Sequence, residues 1–353
     1  MTASPPPVFD GHNDTLLDLH LDERGGGRSF FGRSDAGHID LPRAREGGFA
    51  GGCFAMFVPS EVTHELVRTD DGYDVPFPPP LAPDYARRYA NDLLDRLHRL
   101  EAASEGALRV VESASEIESC LSDPDGPVAA LPHLEGADPV APDLSNLDAL
   151  YGRGVRSIGL TWARENAFAH GAPFRYPASP DSGPGLTDRG EALVRACNER
   201  GIVVDCAHLD EAGVRDVARV SEAPLVVSHA GVHGICPSAR NVSDATIDAV
   251  GDSDGVVGVS FAVEGLRPDG EQEPDTPLAT VVDHVAYVAE RIGVEGVALG
   301  SDFDGATVPE SVGDVTGLPR LFEALADRGF TRRERERIAH GNWLRVLEAT
   351  LGG

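Results

Sequence analysis

Val8-Phe9-Asp10-Gly11-His12-Asn13-Asp14 is a short apolar run that ends on an imidazole and a carboxylate two positions apart. On a strand, residues i and i+2 point the same way. His12 and Asp14 could therefore grip one cation at the strand's C-terminal end, one as a nitrogen donor and the other as a hard oxygen donor. Alone, the pair reads more readily as a turn with two solvated side chains. The pattern recurs, however. Val128-Ala129-Ala130-Leu131-Pro132-His133-Leu134 runs into Glu135, Ile202-Val203-Val204-Asp205-Cys206-Ala207 into His208, Leu225-Val226-Val227-Ser228 into His229, and Val297-Ala298-Leu299-Gly300-Ser301 into Asp302. Runs of this length, rich in Val, read as strands buried on both faces.

Between these runs lie stretches of helical period. Asp188 to Arg200 places Leu193, Val194 and Cys197 on one side, and Glu211 to Val220 does the same with Val214, Val217 and Ala218. Eight strands are expected, near 7–10, 50–58, 127–134, 156–161, 202–207, 224–228, 255–261 and 296–301. Helices are expected near 84–103, 144–152, 188–200, 211–220, 243–250, 277–292, 318–328 and 331–350. This alternation predicts an α/β protein, a (β/α)8 TIM barrel of the metal-dependent hydrolase type, whose active groups collect on loops at the strand C-termini. An open doubly wound sheet would gather them at one switch point instead, and no Gly-x-Gly-x-x-Gly opens a helix after the first strand.

One barrel domain over 1–353 is expected, with insertions near 59–83 and 168–186. The first, ending in Pro76-Phe77-Pro78-Pro79-Pro80, reads as an ordered cover over the barrel mouth; the second, Gly/Pro-rich from His170 to Gly185, is the better lid candidate. Neither a signal peptide nor an apolar segment of spanning length is seen, so a cytoplasmic location is expected. Five cysteines without a Cys-x-x-Cys indicate neither a disulfide scaffold nor a zinc-thiolate site. The net charge is −28, and all 30 basic residues are Arg. Such acidity excludes nucleic acid and anionic membranes as expected partners. It fits a salt-rich cytoplasm, where screening mutes self-repulsion, and equally an Arg-favouring genome.

The segments Asp10-Gly11-His12-Asn13-Asp14, Leu134-Glu135-Gly136, Ala207-His208, Ser228-His229, Arg240-Asn241-Val242 and Gly300-Ser301-Asp302-Phe303-Asp304-Gly305 resemble, in order and spacing, those of the renal (membrane) dipeptidase family of the amidohydrolase superfamily. The resemblance runs from His12 to the closing Asn342-Trp343-Leu344-Arg345-Val346 helix. It implies a zinc-dependent dipeptidase, a barrel with two divalent metals, expected to be Zn2+, that hydrolyses small dipeptides, including some L,D-dipeptides, by a hydroxide shared between the metals. Carried over, it gives His12 and Asp14 to one metal and His208 and His229 to the other, with Glu135 bridging. It gives Asp302 the role of catalytic proton carrier, and Arg240 that of binding the substrate's terminal carboxylate through its planar fork. A homodimer is the expected assembly.

The chain departs from the family at Leu160-Thr161-Trp162, where a Leu-Thr-His is usual; the Trp162 indole offers an apolar wall and one neutral donor but no charge, which puts the substrate range in doubt. Cys236, on the Arg240 loop, finds no cysteine to pair with between Phe261 and Pro277. Of the other histidines, His233 is a candidate substrate contact, four residues after His229, and His170 a candidate in the lid. His133 is expected behind the ligands, Asp304 as a loop-shaping partner, and His20, His38, His64, His98, His284 and His340 as structural or solvated. Two further functions stay open: a related two-metal hydrolase acting on another amide, lactone or ester, and a non-catalytic binding protein on the same barrel.

Overall fold

The computed structural model describes residues 5–62 and 65–352; His64 lies outside them. Eight parallel strands follow one another around the barrel in sequence order. They are β1 (Val8–Asn13), β2 (Phe49–Phe57), β3 (Val128–Glu135), β4 (Ser157–Gly159), β5 (Val203–Asp205), β6 (Val226–Ala230), β7 (Val256–Val259) and β8 (Val297–Leu299). The expected (β/α)8 architecture is what the chain adopts. β2 and β3 pair along their whole shared length, from Gly51 with Ala129 to Phe57 with Glu135. β4 meets β3 only at His133 and Leu134, and an extra strand, Leu108–Val110, pairs with the first half of β3 where β4 has not begun.

Strand alternation divides the core. Phe9, Cys53, Leu131, Val203, Val226, Val256 and Ala298 gather around Trp343 of the last helix, while their neighbours Val8, Phe54, Ala130, Val204, Val227, Val257 and Val297 join the larger cluster made with the surrounding helices. Gly11 is required here. A Cβ on it would collide with the Ser228 carbonyl across the barrel and with the Trp343 ring.

The helix expected over 331–350 is not continuous. Arg332–Glu336 gives way to a π turn at Arg337–Gly341 before Asn342–Leu351 resumes. Beyond this wide turn, Asn342 Nδ2 donates to the Val294 and Val297 carbonyls and Trp343 Nε1 to the Leu299 carbonyl, so the interruption is where the chain turns to plug the barrel.

The two insertions meet. Val67–Arg68 pairs with Tyr73–Asp74, which pairs with Arg175–Tyr176, an antiparallel sheet of three short strands. Tyr73 stacks on Tyr176, and their hydroxyls donate to the Glu264 and Pro268 carbonyls. This flap thus rests on the segment that follows β7. All five cysteines are free and buried. Among the described residues no helix is long and apolar enough to cross a membrane.

Candidate active site

His12 and Asp14 end β1, Glu135 ends β3, His208 follows β5, His229 lies in β6, and Asp302 follows β8. All six converge. His12 Nε2 lies 3.4 Å from Asp14 Oδ2, 3.6 Å from Glu135 Oε2 and 4.0 Å from Asp302 Oδ1. The other Glu135 oxygen, Oε1, lies 3.0 Å from His208 Nε2 and 3.8 Å from His229 Nε2, and those two nitrogens are 3.0 Å apart. One buried carboxylate therefore faces two separate sets of imidazole donors. His208 and Asp302 both adopt left-handed backbone, φ 65° and 61°, a conformation disfavoured for side chains with a Cβ and concentrated at functional sites. Gly305 keeps the space open, since a Cβ there would collide with the Asp302 and Asp14 carboxylates.

The electrostatics are those of a site built around cations. Burial pushes the Glu135 and Asp302 carboxyls up; the charge of His12 opposes this and that of Asp14 adds to it. Burial would depress His12, but Glu135, Asp14 and Asp302 push it up to about 10. Burial holds His208 and His229 well below the usual imidazole value, with Arg240 and His12 adding to the effect. Asp14 Oδ1 is buried without a hydrogen-bond donor, a costly arrangement unless a cation satisfies it. Mixed imidazole and carboxylate donors suit zinc and similar divalent metals. The residues present thus fit divalent metal.

Behind the donors stand two matching clamps. Asp205 accepts the Ser228 N–H at 2.8 Å and the Ser228 hydroxyl at 2.5 Å, and Asp10 accepts the Ser301 N–H at 2.7 Å and hydroxyl at 2.6 Å. Each serine immediately precedes a site residue, His229 or Asp302. Ser228 Oγ also lies 2.9 Å from His229 Nδ1. Its one proton is directed to Asp205, so it accepts from Nδ1–H, and His229 Nε2 is left as a lone pair facing the cavity. His133 sits behind the donors as expected, its Nδ1 2.9 Å from Ser157 Oγ and its ring edge-on to His12. Asp304 shapes the loop, taking the Thr15 hydroxyl at 2.8 Å and Arg28 at 3.2 Å.

The donors open into a cavity of about 120 Å3. Trp162 lines it with Phe57 and Phe174, their ring centroids 5.0 and 5.5 Å from the indole, and buried Arg164 lies over the outer side of this wall, 4.9 Å from the Trp162 centroid. Arg240 also lines it, anchored by one bond from Nη2 to the His229 carbonyl at 2.9 Å. Asn241, Ser260, Glu264 and Arg24 complete the polar lining. The sequence pattern did not single these out, nor Phe57 and Phe174. Only Asn241 had a signal, its place in the Arg240 motif.

Two candidate contacts are not made. His233 turns away, its Nε2 3.0 Å from the Ala178 carbonyl of the second insertion, and does not line the cavity. The insertion occupies the imidazole that the i+4 spacing seemed to offer. His170 packs edge-on against Phe77, tying the two insertions together rather than reaching the site. His284 is buried between the Val232 N–H and the Leu266 carbonyl, a structural role.

A family model described as membrane dipeptidase (peptidase family M19) matches residues 3–351. Among solved structures, the dipeptidase AC, a metallopeptidase of family M19, superposes with a TM-score of 0.93 at 40% identity, covering 99% of this chain and 100% of its own. A metallopeptidase from Rhodobacter sphaeroides, liganded with a phosphinate mimic of the dipeptide L-Ala-D-Ala, gives 0.91 at 39% identity, covering 98% and 100%. Dipeptidase aclJ of Aspergillus oryzae is 30% identical over 358 residues, 97% of this chain and 77% of its own length.

Proposed function

Since the chain belongs to the membrane dipeptidase family, peptidase family M19, we propose that it is a metal-dependent dipeptidase that cleaves the peptide bond of free dipeptides, L,D-dipeptides among them. The observation that carries the reading is Glu135, whose two oxygens face separate imidazole sets in a cavity that also holds Asp302 and Arg240. His12 and Asp14 would hold one divalent ion, His208 and His229 a second, with Glu135 between them. When bound, such a pair supplies a polarised scissile carbonyl and a water acidic enough to attack at neutral pH.

The remaining work falls to side chains. Arg240, fixed by the His229 carbonyl, presents its guanidinium to the substrate's α-carboxylate, which selects a free C-terminus and so a short peptide. Asp302 Oδ1 takes a proton and returns it to the departing amine nitrogen. The Trp162, Phe57 and Phe174 wall shields the reacting bond from water. The finer parts of the reading are zinc as the metal, two ions per chain, a single domain, a homodimer and a cytoplasmic location. Five unpaired cysteines suit a reducing compartment.

Trp162, which carries no charge, favours one second reading, a two-metal hydrolase of esters or lactones. Arg240 separates the two. Blocking the substrate carboxylate as an amide should abolish most dipeptide turnover, and Arg240→Met should cost about 2–5 kcal/mol in kcat/KM, while neutral esters and lactones are nearly indifferent to the change. Amidated and free dipeptides turning over equally well would overturn the dipeptidase reading.

A further inference from the structure

Glu264 stands in the same cavity without a part in the chemistry above. It lies in the turn Val263–Gly265 after β7, lining the cavity together with Arg240 and Asp302. Among the described residues its carboxylate forms no ion pair and no hydrogen bond to another side chain. Burial and the charge of Asp302 push its carboxyl up to about 7 although Arg240 opposes the rise. Glu264 is only partly buried, so its carboxylate keeps an open face to the cavity that it lines.

The turn is fixed beside Arg240. Asn241 Nδ2, on the next residue of the Arg240 loop, donates to the Gly265 carbonyl at 2.8 Å, and the Tyr73 hydroxyl of the flap donates to the Glu264 carbonyl at 3.1 Å. Small residues, Ala262, Gly265, Gly305 and Ala306, line the same cavity. A dipeptide whose α-carboxylate is held by Arg240 starts its C-terminal side chain one bond away from that carboxylate. That side chain therefore enters the space that Glu264 borders. Arg24, another cation lining this cavity, donates to the Asp304 carbonyl and forms no ion pair with Glu264.

We propose that Glu264 is a specificity-determining residue that selects dipeptides whose C-terminal residue carries an ammonium or guanidinium side chain. The proposal rests on the dipeptidase reading and names its substrate class. It requires the cation on the second residue, since only that residue is placed next to Arg240.

The test compares kcat/KM of the metal-loaded enzyme for Ala-Lys, the uncharged near-isostere Ala-norleucine, Ala-Glu and the reversed Lys-Ala, in L,L and L,D series, for the wild type and Glu264→Gln. The wild type should prefer Ala-Lys over Ala-norleucine by about tenfold or more, the scale of a desolvated charge pair, disfavour Ala-Glu, and show no such gain for Lys-Ala. Glu264→Gln should bring the lysine to norleucine ratio close to one, mainly through KM. A wild-type ratio near one overturns the proposal, as does a ratio unchanged in Glu264→Gln, including a uniform loss on all substrates, which would make Glu264 a support for Arg240. The wild-type ratio is readable even if the variant does not fold. Absence of turnover on every dipeptide is a different result, and it would overturn the dipeptidase reading itself.

Discussion

Glu135, buried, and Asp302, partly exposed, are carboxylates in one cavity, yet they should respond differently to loss of charge. Glu135→Gln removes the group shared by both donor sets, so metal content and activity should fall together. Asp302→Asn should retain the metals and lower kcat by about 10²-fold or more, the usual scale for a positioned proton carrier. Elemental analysis beside turnover distinguishes them, and metal loss in Asp302→Asn would reassign that residue as a ligand. Ser228→Ala tests the clamp behind His229. Without the hydroxyl nothing fixes the Nδ1–H tautomer, and metal affinity should weaken about 10–100-fold, measured by chelator competition, beside a loss of apo-chain stability from the buried Asp205 oxygen left without its donor. The donors and Asp302 were legible in the sequence because each ends or follows a run of strand-forming residues, and the barrel brings strand ends together. His233 misled because i+4 spacing says nothing about which carbonyl an imidazole meets. Phe174 and Glu264 escaped because loop conformation turns them towards the cavity, and Phe57 because an apolar residue at the end of β2 reads as core.

At the scale of elements, the strands were legible to within a few residues, with β4, β5 and β8 shorter than expected at three residues each. The helices Thr15–His20, Leu41–Gly47 and Ala114–Leu121 were not anticipated, being too short for a clear hydrophobic period. Two carried a capping signal nonetheless: Asp40 accepts the Arg43 N–H and Ser113 the Glu116 N–H. The flap could not be foreseen, since its strands pair residues a hundred positions apart and depend on the barrel to bring them together. The last helix carries its own prediction. Trp343 is almost wholly buried and is held by a hydrogen bond to Leu299. Trp343→Ala should therefore destabilise the fold by about 3–5 kcal/mol, read from denaturant unfolding, with the metal donors untouched. A loss below about 1 kcal/mol would show that the barrel end collapses around the gap.

Over the whole molecule, 58 acidic residues face 30 arginines, and several surface arginines stand in ion-pair networks. Arg219 pairs with Glu191 and Asp216, and Arg291 with Asp244 and Asp248. The remaining carboxylates repel one another without counter-charge. Raising salt from low to molar concentration should then raise the melting temperature, because screening relieves that repulsion more than it weakens exposed pairs worth little each. A flat response would favour genomic composition as the origin of the Lys-free surface. The charge distribution leaves the barrel's closure untouched, for that rests on different bonds. Between β8 and β1 there is little regular ladder. Asp10 holds Ser301, the Asp302 N–H donates to the His12 carbonyl at 3.0 Å, and the Asp14 N–H donates to the Phe303 carbonyl at 2.8 Å. The clasp that makes a cylinder of the sheet is tied with the catalytic groups' own backbone. Natural variation is consequently less free at these positions than chemistry alone would require: a descendant that abandoned hydrolysis could discard the imidazoles and keep its shape, but not the Asp10–Ser301 knot without reopening the sheet.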